Sequence, residues 1–198
     1  MSAPRGLPRM FVALMLGSEL GEPIRADVEG CLVGDAREEP PLGLVSAEDL
    51  HLTLFFLGPV EGARLAGLEQ ALTGAVDASL APELELGPGG AFPSATRPGV
   101  LWIGVRETGI ERLSELQAGV ARACTGQGFR RDPRAWTPHV TVARVRRGRG
   151  RRDWAPPTGF FELDPELAWK PSAVTLVQSL APGGPCAYRR LREFPFFC

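Results

Sequence analysis

The chain has 198 residues, a hydrophobic fraction of 44% and a formal net charge of −1 at pH 7. This length and composition suit one globular domain with a sizeable core, and the near-zero charge gives no general indication of a polyanionic partner. No apolar stretch approaches the ~20 residues of a membrane span, so we predict no membrane association.

The first half of the chain predicts two strands, each followed by a helix. The apolar run 10–16 predicts a buried strand, residues 38–43 have the composition of a loop, and residues 50–57 predict a second strand closed by Gly58-Pro59. Apolar residues at helical spacing predict an amphipathic helix after each strand: Leu20, Ile24, Val28 and Cys31, then Leu65, Leu68, Leu72 and Val76.

The second half predicts shorter strands around one more helix. Residues 84–86 alternate, the Gly-Pro-Gly-Gly segment 87–90 predicts a turn, and residues 100–105 predict a strand. A third helix ends at the glycines of 126–128, and its apolar residues are Ile110, Leu113, Leu116, Val120 and Cys124. Further strands are predicted at 140–145, 173–180 and 188–196, with an arginine-rich loop up to about residue 158.

The order of these elements predicts the fold class. Strands and helices are mixed without strict βαβ repeats, which is typical of an α+β fold. The two halves are loosely alike, because each has an amphipathic helix and a strand that carries a histidine. We predict a single two-lobed domain over residues 1–198.

The two histidines of the chain lie in matching motifs. His51-Leu52-Thr53-Leu54 and His139-Val140-Thr141-Val142 both have the pattern His-x-Thr-aliphatic. Threonine fills 9 of 198 positions, so chance would place it two residues after both histidines in about 1 of 500 such chains. The match therefore indicates a shared role.

This spacing has a structural meaning in a strand. Residues i and i+2 point to the same face, so His51 and Thr53 share one face, and His139 and Thr141 do likewise. Two such strands side by side would bring two imidazoles and two hydroxyls to one surface. Imidazole has an ordinary pKa of ~6.5, so one ring can act as general base and the other as general acid near neutral pH.

Other interpretations of the histidines have less support. A purely structural role is common for one strand histidine but does not explain two matching motifs. A zinc site lacks ligands, because the scattered cysteines form no C-x-x-C pair: Cys31, Cys124, Cys186 and Cys198. Their spacing is typical of free thiols in a reducing cytoplasm. We predict no metal and no cofactor, and a cytoplasmic monomer.

The paired motifs resemble those of the two-histidine phosphoesterases. The closer similarity is to the bacterial and archaeal RNA 2′,3′-cyclic phosphodiesterases, historically called 2′-5′ RNA ligases. It extends over nearly the whole chain through flanking segments at 10–14, 48–50, 55–58, 90–93, 100–104, 143–144 and 180–184.

The resemblance implies a bilobal, pseudo-twofold α+β fold in which two antiparallel sheets line a central cleft, with helices outside. It also implies metal-free hydrolysis of RNA 2′,3′-cyclic phosphate ends to 2′-phosphomonoesters. In that reaction His51 would be the general acid that protonates the departing O3′, and His139 the general base that activates water. Thr53 and Thr141 would contact phosphate oxygens, and Arg144 would hold the phosphate.

Arg144 raises a geometric problem. It lies five residues after His139, and an odd spacing in a flat strand places the two side chains on opposite faces. Arg144 can reach the phosphate only if the strand bulges, twists or ends near Ala143. We therefore predict an irregularity there.

Several alternatives stay open. The six arginines among residues 144–152 could guide an RNA backbone or form a solvated loop. We expect core positions for Phe56 and Trp102, and a position at the cleft mouth for Trp136. Rival functions are reversible 2′-5′ ligation and cleavage, hydrolysis of a small cyclic nucleotide, and RNA binding without catalysis.

Overall fold

The computed structural model describes residues 6–33, 41–77, 79–146, 154–163, 165, 167–180 and 187–196. Within them, nine strands form one antiparallel sheet in the order β7-β4-β5-β6-β3-β1-β8-β9, and β2 pairs with β6. The strands are β1 (Arg9–Met15), β2 (Leu42–Leu44), β3 (His51–Pro59), β4 (Leu84–Phe92), β5 (Val100–Glu107), β6 (His139–Val145), β7 (Ala168–Trp169), β8 (Ala173–Ser179) and β9 (Tyr188–Pro195).

Four α-helices accompany the sheet in the described residues: α1 (Ser18–Leu32), α2 (Leu65–Asp77), α3 (Arg112–Gly126) and α4 (Thr158–Glu162). The helical apolar stripes are buried as their spacing predicts, for example Leu68, Leu72 and Val76 of α2. They share one core with the inward-facing residues of the sheet, including Leu52 and Val140. Each buried leucine contributes roughly 1.5–3 kcal/mol, so this packing holds the helices against one face and leaves the other face for a cleft.

The predicted α+β fold is confirmed. The two antiparallel sheets that the resemblance implies are the two halves of one continuous sheet. One half contains β3-β1-β8-β9 and the other β7-β4-β5-β6. In the part of the chain that the structure describes, a single residue pair, Leu52 with Val140, links β3 to β6. The cleft therefore opens where two halves of one sheet diverge.

The turn predicted at residues 87–90 is wrong, because β4 runs through it. The pairing of β4 with β5 shifts between Leu86 and Gly89, which accommodates the glycines in the strand. A Cβ on Gly89 would lie 2.1 Å from the Phe160 carbonyl oxygen, and one on Gly90 would lie 2.2 Å from the Trp102 ring. Glycine is needed here for close approach of neighbouring groups, not for a turn.

Other boundaries also differ from the sequence prediction. β3 includes Gly58 and Pro59, whereas Ile110 lies before α3 and is 72% exposed. The strands β2 and β7 and the short helix α4 were not predicted; such short elements carry too few residues to show a periodicity. Residues 147–153 of the predicted arginine-rich loop lie outside the described residues, as do residues 181–186 between the last two predicted strands. No described helix is both long enough and apolar enough to cross a membrane.

Candidate active site

The two motifs meet at the junction of the two halves. Leu52 pairs with Val140, and both side chains are fully buried in the core. Side chains alternate along a strand, so His51 and Thr53 point to the opposite, cleft face. His139 and Thr141 flank Val140 in the same way. The four predicted motif side chains therefore share one surface.

A β-bulge in β6 brings Arg144 to this surface. Thr141 pairs with Trp102 and Ala143 pairs with Leu101, which leaves Val142 as an extra residue in β6. The extra residue reverses the alternation of side chains. Val142 and Ala143 are consecutive buried residues, and Arg144 is exposed. The irregularity predicted near Ala143 is thus present.

The first motif strand has a matching bulge. Thr53 pairs with Ala13 and Phe55 pairs with Val12, so Leu54 is the extra residue. Phe56, five residues after His51, is 61% exposed and lines the same cavity as Arg144. The prediction that Phe56 belongs to the core is therefore wrong, because the bulge changes the face on which it lies.

Each histidine ring is held through Nδ1 by a nearby carbonyl. His51 Nδ1 donates to the Asp49 carbonyl oxygen at 2.6 Å, and His139 Nδ1 donates to the Thr137 carbonyl oxygen at 2.7 Å. A carbonyl oxygen only accepts, so Nδ1 carries the proton in both rings. Nε2 is left on each ring as the nitrogen that can take up or release a proton.

The surroundings of His51 are tightly packed and aromatic. Its ring stacks on Phe11 with centroids 4.8 Å apart and meets the Tyr188 ring edge-on at 5.1 Å. Only 8% of the residue is exposed. Burial lowers the pKa of His51 to about 4, with smaller lowering effects from Arg144 and His139 and an opposing effect from the Asp49 hydrogen bond.

His139 is more open. Phe92 meets its ring edge-on at 5.1 Å, and Trp102 lies at 5.9 Å. Burial also lowers the pKa of His139, opposed by the Thr137 hydrogen bond and assisted by Arg144. Trp102 is only partly buried and packs on the cleft side, so its predicted core position is wrong.

A cavity of about 700 Å³ opens beside these residues, within the range of roughly 300–1,000 Å³ usual for small-molecule sites. Its polar lining includes His139, both motif threonines and Arg144, whereas the nearly buried His51 is not among the lining residues. The remaining lining includes Phe56, Phe92, Arg131, Asp132, Arg134, Trp136 and Thr137.

Trp136 lines this cavity, as its predicted place at the cleft mouth requires. Its indole Nε1 also donates to the Thr53 carbonyl oxygen at 3.0 Å, a contact that no sequence pattern indicated. Gln117, buried in α3, similarly donates to the Leu54 carbonyl oxygen at 3.3 Å. Among the described residues, no group of three or more histidine, cysteine, aspartate or glutamate side chains could hold a metal ion.

A model of the 2′-5′ RNA ligase superfamily matches residues 22–182. The chain belongs to this superfamily. It is 39% identical over 140 residues to the RNA 2′,3′-cyclic phosphodiesterase of Geobacillus stearothermophilus, covering 70% of this chain and 42% of that protein. It is 36% identical over 143 residues to the enzyme of the same name from Archaeoglobus fulgidus, covering 70% and 73%.

Two solved structures share the fold of this chain. TT0787 of Thermus thermophilus has a TM-score of 0.76 at 22% identity, covering 95% of this chain and 97% of that one. E. coli LigT in its apo form has a TM-score of 0.70 at 23% identity, covering 96% and 99%. At this identity the similarity establishes the α+β fold with its curled antiparallel sheet.

Proposed function

We propose that this superfamily member hydrolyses RNA 2′,3′-cyclic phosphate ends to 2′-phosphomonoesters, using His51 and His139 as an acid–base pair. The observation that carries the proposal is the single pair Leu52–Val140, which sets both motifs on one cleft face. The names of the Geobacillus and Archaeoglobus relatives support the choice of substrate.

The reaction requires one proton transfer at each ring. His139 Nε2 takes a proton from water as the water oxygen attacks phosphorus. The bond between phosphorus and O3′ breaks, and O3′ takes a proton from His51 Nε2. The product keeps its phosphate on O2′, and solvent exchange restores both rings. In both transfers the Nδ1 hydrogen bond to Asp49 or Thr137 keeps the tautomer that leaves Nε2 available.

The free protein suits the base role of His139, whereas the acid role of His51 requires bound substrate. A general base must be neutral, and the lowered pKa of His139 keeps it so near pH 7. A general acid must be protonated, and a pKa of about 4 leaves the free His51 neutral. A bound phosphate adds negative charge beside the ring, which raises the pKa of His51 and favours the protonated form.

Arg144 has the chemistry to stabilise the phosphate during the reaction. It lies on the cavity wall with His139 and Thr141, and it is close enough to lower the pKa of both histidines. A guanidinium can bind two phosphate oxygens at once, and it offsets the charge that accumulates in the transition state. The hydroxyls of Thr53 and Thr141 can donate to the remaining oxygens.

The outer part of the cavity supports an RNA substrate over a small cyclic nucleotide. Phe56 and Trp136 offer aromatic surface for a base. Arg131 also lines the cavity and is exposed, and within the described part of the chain it has no ion-pair partner, unlike Arg134, which pairs with Asp132. An available guanidinium at this rim suits the phosphodiester that precedes the terminal nucleotide.

The experiment that tests the proposed function is product identification. The protein is incubated with a short RNA that ends in 2′,3′-cyclic phosphate, with and without EDTA, and the phosphate position is determined. We expect a 2′-phosphate at the same rate in both samples. A 3′-phosphate, a new 2′-5′ linkage or binding without turnover would each contradict the proposal, and reversible loss of activity with EDTA would contradict the metal-free mechanism.

Three further statements stay predictions from the sequence. They are the single two-lobed domain over residues 1–198, the monomeric state and the cytoplasmic location.

A further inference from the structure

The two motif strands have little direct contact. Among the described residues, the backbone ladder between β3 and β6 consists of the one pair Leu52–Val140. On its other side β3 pairs along its length with β1, and β6 pairs with β5. The spacing of the two histidines therefore depends on contacts other than a continuous ladder.

Side chains bind the backbone of β3 just beyond that pair. The Thr53 carbonyl oxygen accepts from Trp136 Nε1, and the Leu54 carbonyl oxygen accepts from Gln117 Nε2. Both donors come from the second half of the chain, and both bonds are at least partly shielded from solvent. Buried carbonyl groups need such partners, because leaving them unsatisfied costs free energy.

The position of Trp136 gives its hydrogen bond a special consequence. The next residue, Thr137, supplies the carbonyl oxygen that holds His139 Nδ1. Trp136 therefore ties the segment that orients one histidine to Thr53, two residues from the other histidine. The indole nitrogen is donor-only, so the contact has one possible direction.

We propose that Trp136 is a positioning residue whose indole N–H fixes the separation of His51 and His139 across the cleft. This inference rests on the proposed acid and base roles of the two histidines. It assigns Trp136 a function distinct from stacking on a base, since the N–H and not the ring surface carries it. A displacement of about 1 Å can reduce the rate of an oriented reaction roughly 10²-fold.

The test compares Trp136→Phe with Trp136→Ala and with Trp169→Phe as the control. Phenylalanine keeps an aromatic surface but has no donor. Trp169 is buried in β7 at the far edge of the sheet, so its variant undergoes the same chemical change away from the cleft. Steady-state kcat and KM are measured on RNA ending in 2′,3′-cyclic phosphate, and thermal unfolding is recorded for each variant.

We expect Trp136→Phe to lower kcat about 10-fold with KM changed less than about twofold, the pattern of a contact needed mainly in the transition state. Trp169→Phe should keep the kcat of the wild type. An unchanged kcat in Trp136→Phe, or equal losses in Trp136→Phe and Trp169→Phe, would overturn the proposal. A rise in KM alone, larger in Trp136→Ala, would identify Trp136 as a stacking surface and would also overturn it.

A second measurement is independent of catalysis and of variant folding. In ¹⁵N-labelled wild-type protein, the Trp136 indole N–H signal should exchange with solvent more slowly than that of an exposed indole, because the hydrogen bond must open first. Exchange at the rate of a free indole would overturn the proposal even if the enzyme is active. Conversely, a wild-type protein that hydrolyses no cyclic phosphate would contradict the proposed function, while slow exchange would still establish the contact.

Discussion

The two histidine motifs have the same local design and very different surroundings. Each begins a strand, each ring is held by the carbonyl two residues before it, and each strand has a bulge one residue after the threonine. Yet His51 is enclosed by Phe11 and Tyr188, whereas His139 borders an open cavity. Burial lowers the pKa of both rings in the free protein, and that of His51 to about 4. In the proposed reaction, the negative charge of bound substrate is therefore needed to make His51 the acid.

The bulges in β3 and β6 place different side chains at matching positions. Each bulge turns the residue five positions after the histidine toward the cleft, and that residue is Phe56 in β3 and Arg144 in β6. The pseudo-twofold backbone thus presents an aromatic ring and a guanidinium at equivalent positions. In the proposed function, one half provides a stacking surface for a nucleotide base and the other provides positive charge for the phosphate.

Removal of either imidazole ring should be the most damaging change. We predict that His51→Ala and His139→Ala each lower kcat by about 10²–10⁴, the usual contribution of an acid–base group. The double variant should lose little more than either single variant, because the two transfers belong to one reaction. Rate measurements with folding checked by circular dichroism test this, and additive losses would show that the two halves do not act in one step.

The second prediction is that Phe56 and Arg144, at equivalent positions in the two halves, affect different kinetic constants. Arg144→Gln should lower kcat roughly 10²–10³-fold, because a charge opposite the transition state is lost. Phe56→Ala should mainly raise KM, about 10-fold, since stacking on a base is worth ~1–3 kcal/mol. Steady-state kinetics on the same RNA measures both, and a dominant kcat effect in Phe56→Ala would show that the two positions are not divided in this way.

The third prediction concerns pH and the burial of His51. Its pKa is lowered to about 4 in the folded protein, so the unfolded state binds the proton first as pH falls below 6.5. Folding stability must then decrease as pH falls from 6.5 to 4 and change no further from this group below that range. The predicted contribution is about 3 kcal/mol.

Replacing the ring with a side chain that does not titrate isolates this effect. His51→Asn should lose less unfolding free energy than the wild type between pH 6.5 and 4, as measured by urea denaturation at each pH. His139→Asn should differ less from the wild type, because its ring is more open. Parallel losses in the wild type and His51→Asn would mean that His51 is not buried as neutral imidazole.

A change at the cavity rim should have the mildest effect. Arg131→Gln should raise KM for a dinucleotide ending in cyclic phosphate about threefold, as expected for one exposed charge, and leave a cyclic mononucleotide unaffected. Arg130→Gln is the matched control, because Arg130 is also exposed but does not line the cavity. The difference in KM between the two variants should shrink with added salt. Equal KM values for the two variants would show that Arg131 does not contact the substrate.

Short-range periodicity was enough to predict several features of the fold and of the site. The spacing of Leu68, Leu72 and Val76 was enough to predict the helix α2. The two-residue interval in each His-x-Thr motif was enough to predict that imidazole and hydroxyl lie on one face of a strand. These two features follow from helix and strand geometry alone. The bulge in β6 was predicted from the odd interval between His139 and Arg144 together with the phosphate-binding role that the family resemblance implies for Arg144.

Features that join distant segments could be found only in the folded chain. Phe11 and Tyr188 reach His51 from β1 and β9, and Trp136 bonds to Thr53 across 83 positions of sequence. The bulge that exposes Phe56, and the strand that continues through residues 87–90, likewise depend on register with neighbouring strands. A linear pattern records which face a side chain prefers but not which partner occupies that face, because register and burial are set by contacts between segments far apart in the chain.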